Sequence, residues 1–223
     1  MAVITISRQY GSGGDEIADR VGETLGYPHF DKSMITKAAA EAGINESEVF
    51  DYSEDSHKVR SFMDRLFNRS VMMTTGHLLE SGGISVYDLE VPLGEDVMLS
   101  LVQKAIRSAY QIGNMMIMGR GSQVILQDKS KAVHVRIVAP VEFRIQNLKE
   151  RFKQSGKVYQ ADQDARREAQ DTILDRDAAS ADYIKRHYNR DWNDAQLYHV
   201  VLNTGKISYE RAIQIIVDLA KDL

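Results

Sequence analysis

The chain has 223 residues, 43% of them hydrophobic, which suits one domain or one large α/β unit with a full core. A formal net charge of −4 argues against a general nucleic-acid binder, which needs a basic face to neutralise phosphates. The absence of cysteine excludes disulfides, a thiol nucleophile and zinc-thiolate sites, and no apolar run approaches the roughly 18 residues of a membrane span, so a cytoplasmic protein without a membrane partner is expected.

The first element is a run of β-branched residues, Val3–Ile6, which predicts a strand buried on both faces of a parallel sheet. A glycine-rich turn follows, with Gly11, Ser12, Gly13 and Gly14, and then a helix with apolar Ile17, Val21 and Leu25, stopped by Gly26. Glycines without a Cβ let backbone amides converge, and a helix start adds partial positive charge, so an anion such as phosphate is the expected occupant. The plain alternative is a tight βα connection with no ligand. The turn also departs from the G-x-x-x-x-G-K-[ST] phosphate loop, because Gly14 stands at the lysine position and Asp15 and Glu16 follow it. Arg8, at the strand's end, is the nearest replacement cation; otherwise it pairs with Asp15 or Glu16.

The segment YPHF reads as a second strand, delivering Asp31 and Lys32 to its C-terminal edge, where ligands bind in open α/β sheets. Asp31 serves equally well as a cap for the helix from Lys32 to Glu41. In the charged stretch 46–69, Val59, Phe62, Met63, Leu66 and Phe67 make a packing stripe, and Lys58, Arg60, Arg65 and Arg69 a basic face that is solvated or reaches phosphate. Residues 70–96 are the least readable, with a helix at 72–79 and an exposed strand at 84–92. Met98, Leu101, Val102, Ala105, Ile106 and Ala109 then predict an amphipathic helix ending near Gly113.

Met115–Met118 is a buried strand whose methionines are core filler. Gly119-Arg120-Gly121 follows, which places a guanidinium at a strand's C-terminal edge, free for a bidentate phosphate contact. Ala132–Ala139 is a fourth strand, stopped by Pro140; Val141, Ile145, Leu148 and Phe152 stripe the next helix. After a polar interruption at 155–164, a charged helix runs from Ala165 to about Tyr188 with little continuous apolar face. It is either a mobile lid over the site or a surface hairpin held by ion pairs. Trp192 and Tyr198 lead into a fifth strand, HVVLN, and Ala212, Ile216, Leu219 and Ala220 pack a terminal helix on the sheet. The six histidines show no metal-ligand spacing.

Strands alternating with helices predict a parallel sheet covered on both faces, with right-handed crossovers. The succession of strand-GSGG-helix, FDKSMI, MGRGSQVIL, APVEFRIQNLKER, DRDAASADYIKRHY and LYHVVLNTGKISYERAIQII resembles the cytidylate kinase-like family of P-loop kinases over essentially the whole chain. The resemblance implies an α/β three-layer sandwich with a five-stranded parallel sheet and a helical lid. It further implies one domain over 1–223, with 45–95 a divergent acceptor-side insertion and 155–195 the lid region.

By the same resemblance, ATP with Mg2+ is the phosphoryl donor and a nucleoside monophosphate, CMP or a related acceptor, the small-molecule partner. Arg8, Gly11, Ser12, Gly13, Gly14, Asp15 and Glu16 would surround the ATP phosphates, with Asp15 or Glu16 as the candidate Mg2+ ligands. Asp31, Lys32, Lys37 and Arg120 match acceptor-side positions, although Gly121 replaces the aspartate of a Gly-Arg-Asp motif. Arg176, Asp177 and Arg186 belong to the lid, while Ser180 and Tyr183 stand where further polar or basic lid residues are expected. Arg8, Arg120 and Arg176 are the expected catalytic cations. Two function classes stand: an active nucleotide kinase, and a nucleotide-binding regulatory module without turnover.

Overall fold

The computed structural model describes residues 2–41, 43 and 95–223, together with the backbone but not the side chain of Lys32. The packing stripe and basic face expected within 46–69, and the helix and strand expected within 70–92, lie outside these residues. Strands β1 (Val3–Arg8), β2 (Met115–Met118), β3 (Ala132–Val138) and β4 (Val200–Asn203) form one sheet in the order β2-β1-β3-β4. Every pairing is parallel, with Ser7 beside Arg136 and Arg8 beside Ile137 at the C-terminal edge of β1.

The described sheet has four strands where five are expected. YPHF contributes one isolated bridge, His29 to Met116, flanked by hydrogen bonds from Phe30 N to Met116 O and from Met116 N to Pro28 O. Pro28 has no N–H to donate, so the ladder cannot extend through it. The segment still runs beside β2 and still brings Asp31 to the sheet edge.

One face of the sheet, with Ile4, Ile6, Val133, Val135 and Ile137, packs beneath α1 (Gly14–Leu25) and a C-terminal helix, Tyr209–Lys221. On the other face, Val3, Met115, Ile117 and Ala132 pack against α2 (Lys32–Glu41), α3 (Glu95–Ile112) and the single turn α4 (Ser122–Ile125). In α3 the buried residues are Met98, Leu101, Val102, Ala105, Ile106 and Ala109, the stripe read from the sequence. A third cluster joins α5 (Val141–Gln154) to α6 (Asp162–Tyr188) through Ile145, Leu148, Ala169 and Ile173.

Two stripes differ from expectation. In α5, Val141 is exposed and Arg144 occupies a buried place instead. The helix α6 does carry an inward stripe, Ala165, Ala169, Ile173, Ser180 and Ile184, hidden from a hydropathy reading because most of its members are small or polar. Asn189, in the left-handed conformation, ends it. The C-terminal helix, here α7, buries Ala212, Ile213, Ile216, Val217 and Ala220.

The second face of the sheet carries a polar seam. Buried His134 accepts a hydrogen bond from the Thr5 hydroxyl at Nδ1 (2.7 Å), and its Nε2 lies 3.2 Å from Leu126 O. A carbonyl only accepts, so the proton sits on Nε2 and the ring is neutral. Burial first, then the neighbouring His199, pushes the His134 pKa down to about 4. Because the unfolded chain binds this proton nearer pH 6.5, stability is expected to fall as pH drops from about 6.5 to 4, by on the order of 2–3 kcal/mol. Urea unfolding across that range checks this, and His134→Gln should flatten the slope.

Candidate functional site

At the C-terminal edge of β1 the chain enters a turn whose backbone is held from several sides. Gln9 N donates to Ile137 O (2.9 Å), and the Gln9 side chain accepts from Ala139 N (3.0 Å). Tyr10 N donates to Asp177 Oδ1 (2.8 Å), while Tyr10 O accepts from Arg144 (3.3 Å). Gly11 O accepts from Asn147 (2.9 Å), and Ser12 O from the Thr204 hydroxyl (2.7 Å). Residues Gly11, Ser12, Gly13 and Gly14 are all buried.

Gly11 and Gly13 both have φ of +80°, a backbone shape that L side chains rarely adopt. Gly13 is the N-cap of α1 and supplies no side-chain acceptor, so no cap side chain satisfies the first amides of the helix, which also lack intrahelical partners. Packing explains Gly14 at the usual lysine position: a Cβ there would stand 2.6 Å from Arg8 Cβ. The Arg8 stem thus lies against Gly14.

Of the two alternatives for Arg8, the structure holds the ion pair: Nε is 2.7 Å from Asp15 Oδ1, and Arg151 approaches the other carboxylate oxygen at 3.9 Å. Glu16 lies on the exposed side of α1, 3.9 Å from Arg20, which also bridges to Glu210 (3.1 Å). Asp15 is thus engaged by Arg8 and Arg151 and Glu16 by Arg20, and the described residues contain no group of three or more His, Asp or Glu that could hold a metal.

At the end of the YPHF segment, Asp31 accepts from the Ser33 hydroxyl (2.5 Å) and from Met34 N (3.3 Å), so it caps α2. These bonds, that of Ser33 foremost, lower its pKa, and the charge of Arg120 adds to the effect. Capping and a place beside Arg120 thus belong to the same carboxylate. Lys32 opens α2, and Lys37 is exposed on it.

Gly119, Arg120 and Gly121 have φ of 60°, 57° and 69°, so an arginine is held left-handed between two glycines. For a side-chain-bearing residue that costs roughly 1–2 kcal/mol, which the surroundings must offset. Among the contacts that hold it, the Arg120 guanidinium lies 5.3 Å from the Phe30 ring, and the Tyr188 hydroxyl reaches Arg120 O at 3.4 Å. The Tyr188 ring fills the space a Gly121 side chain would need.

Helix α6 lays Arg176 and Asp177 against the turn. Asp177 bonds Tyr10 N and, at 2.5 Å, Arg144. Arg176 lies 5.4 Å from the Tyr10 ring, and its Nε and Nη1 are buried without a hydrogen-bond partner among the described residues. Such unsatisfied buried nitrogens are rare in proteins, and these lie by Tyr10, at the entry to the glycine turn. Arg186, expected among the lid residues, pairs with Asp182 and lies 3.9 Å from Glu95.

The structure therefore gathers Arg8, the glycine turn, Asp15, Arg176 and Asp177 at one place, with Asp31 and Arg120 on the same sheet edge. Sequence reasoning missed the supporting residues Arg136, Arg144, Asn147, Thr204 and Tyr209. Arg136 is buried: it stacks 3.9 Å from the Trp192 ring and donates to Ser7 (3.1 Å) and Asn193 (2.8 Å). The Trp192 indole also donates to Ser7 (2.8 Å), tying the segment after α6 to the end of β1. An arginine inside a β-branched run was the signal for this pin.

Comparison with known proteins agrees with the fold. An uncharacterized protein from Eubacterium ventriosum aligns over 100% of both chains at 15% identity, with a TM-score of 0.61. Shikimate kinase from Bacteroides thetaiotaomicron aligns over 99% of this chain and 98% of its own at 11% identity and TM-score 0.46. For shikimate kinase from Acinetobacter baumannii, in complex with shikimate, coverage is 100% and 94%, identity 13% and TM-score 0.43. No curated protein matches the sequence. The model of the cytidylate kinase-like family matches residues 3–206, and the chain belongs to that family.

Proposed function

We propose that this protein is a nucleotide kinase that transfers the γ-phosphoryl group of ATP to a nucleoside monophosphate, CMP or a related acceptor. The observation that carries the reading is the pair of unsatisfied, buried Arg176 nitrogens by Tyr10, at the entry to Gly11–Gly14, together with the uncapped start of α1. Catalysis of this kind rests on alignment and charge neutralisation, which amides and arginines can supply. Donor phosphates occupy the turn, Arg176 neutralises the transferring group, and Arg120 holds the acceptor's charge. The region 155–195 acts as the lid, with α6 bringing Arg176 to the phosphates. Mg2+ supplies charge neutralisation on the nucleotide phosphates when present.

A second reading, a nucleotide-binding regulatory module with little turnover, is favoured by the engagement of Arg8 with Asp15 where a loop lysine is usual. ADP formation from ATP and Mg2+, measured across a panel of nucleoside monophosphates, separates the two. Turnover with at least one acceptor is expected, with Arg120→Ala raising that acceptor's KM by roughly 10-fold or more, as loss of a charge-assisted pair requires. ATP binding without any turnover would select the regulatory reading, and no nucleotide binding would overturn both.

A further inference from the structure

One face of α5 reads the glycine turn residue by residue. Arg144, Asn147, Leu148 and Arg151 recur at i, i+3, i+4 and i+7, and so share a face of the helix. In order along the turn, Arg144 donates to Tyr10 O, Asn147 donates to Gly11 O, Leu148 closes the space at Gly11, and Arg151 approaches Asp15. The second hydrogen of the Asn147 amide goes to the Tyr209 hydroxyl at 3.2 Å. That hydroxyl in turn stands only 2.0 Å from where a Gly13 Cβ would project.

We propose that Asn147 and Tyr209 form a positioning clamp for the donor-phosphate turn. This rests on the nucleotide reading above. Asn147 Nδ2 fixes the Gly11 carbonyl, and the Tyr209 hydroxyl, held by the same nitrogen, braces Gly13. Both glycines are thereby kept left-handed, and the amides opening α1 stay converged. The clamp spans two elements, since Tyr209 is the first residue of α7, where the Ser208 side chain accepts from Arg211 N and Glu210 pairs with Arg20 of α1. Its members touch backbone and one another. They are positioning residues, and preorganisation is what they contribute.

Asn147→Asp keeps the shape and replaces the donating nitrogen with an oxygen that repels Gly11 O. Tyr209→Phe keeps the ring over Gly13 and removes only the hydroxyl. Calorimetry with ADP should show affinity about 10-fold or more weaker in Asn147→Asp and a few-fold weaker in Tyr209→Phe, in line with one to two lost hydrogen bonds. Donor KM should rise while acceptor KM stays unchanged, a split that general destabilisation would not give. Without any ligand, amide exchange over residues 9–16 should quicken in both variants while exchange in β3 is unchanged. Unaltered exchange in that segment, or unaltered ADP affinity alongside it, overturns the clamp. If the parent binds no ADP, the nucleotide reading fails, and the exchange measurement alone decides the clamp.

Discussion

Arg176→Met is expected to lower phosphoryl transfer by about 10²-fold or more while leaving the fold as stable as the parent or more so. The two effects have one cause. In the absence of an anion, Arg176 keeps two guanidinium nitrogens buried and unbonded, a condition that costs on the order of 1–3 kcal/mol. Methionine keeps an unbranched apolar side chain of similar length and removes the polar head, so the penalty disappears from the resting protein at the cost of the weaker contact between the guanidinium and the Tyr10 ring. In the transition state the same nitrogens face developing charge, and one such contact is worth about 3 kcal/mol. Initial rates with saturating ATP, set beside urea midpoints, check the prediction. Parent-like turnover in Arg176→Met would remove Arg176 from catalysis, and a large fall in the midpoint would make it a structural residue.

Most of the frame was legible in the sequence because it rests on periodicity and punctuation. The β-branched run at Val3, the i, i+3, i+4 stripe from Met98 to Ala109 and the stop at Gly26 each follow from local chemistry, and the structure carries all three. YPHF showed the limit: its residue types suit a strand, but a proline at an edge reduced it to one bridge. The inward side of α6 was hidden for another reason. Alanine and serine mark a close approach of helices only when a partner is known, and that partner, α5, lies across a tight packing that no single segment encodes.

At the candidate site, the glycine turn and Arg120 were more legible than the residues that hold the turn in place. Gly11–Gly14 and Arg120 announce themselves by composition, whereas Asn147, Thr204 and Tyr209 act over 62 to 192 positions of sequence separation. Arg8 stood between two partners in the sequence, and only the packing of its stem on Gly14 shows why it reaches Asp15. Arg144 was unreadable too, because a charged residue on a helix is ordinarily taken for the solvated side.

Asp177→Ala is expected to destabilise the protein by about 3–5 kcal/mol, the largest effect of any single substitution considered, because it removes one partner of a buried pair and leaves the other charged. The side chains of Arg144 and Asp177 are only 9% and 19% exposed, and their 2.5 Å contact is reinforced by the Tyr10 amide on the second carboxylate oxygen. Taking the carboxylate away leaves the Arg144 charge uncompensated and the Tyr10 amide without its acceptor, at the residue that leads into the glycine turn. Asp177→Asn should lie between parent and alanine, since an amide oxygen can still accept from Tyr10 while the charge is lost. The double variant Arg144→Leu with Asp177→Ala should recover much of the loss, because no buried charge is then left unpaired. Donor affinity should not recover with it, as Tyr10 remains untethered and the turn loses its order. Urea unfolding of the parent, Arg144→Leu, Asp177→Ala and the double variant closes the thermodynamic cycle, and ADP calorimetry on the same set reads the turn. Additive destabilisation would show that the pair is not coupled; recovery of both stability and ADP affinity would show that Asp177 serves only to neutralise Arg144.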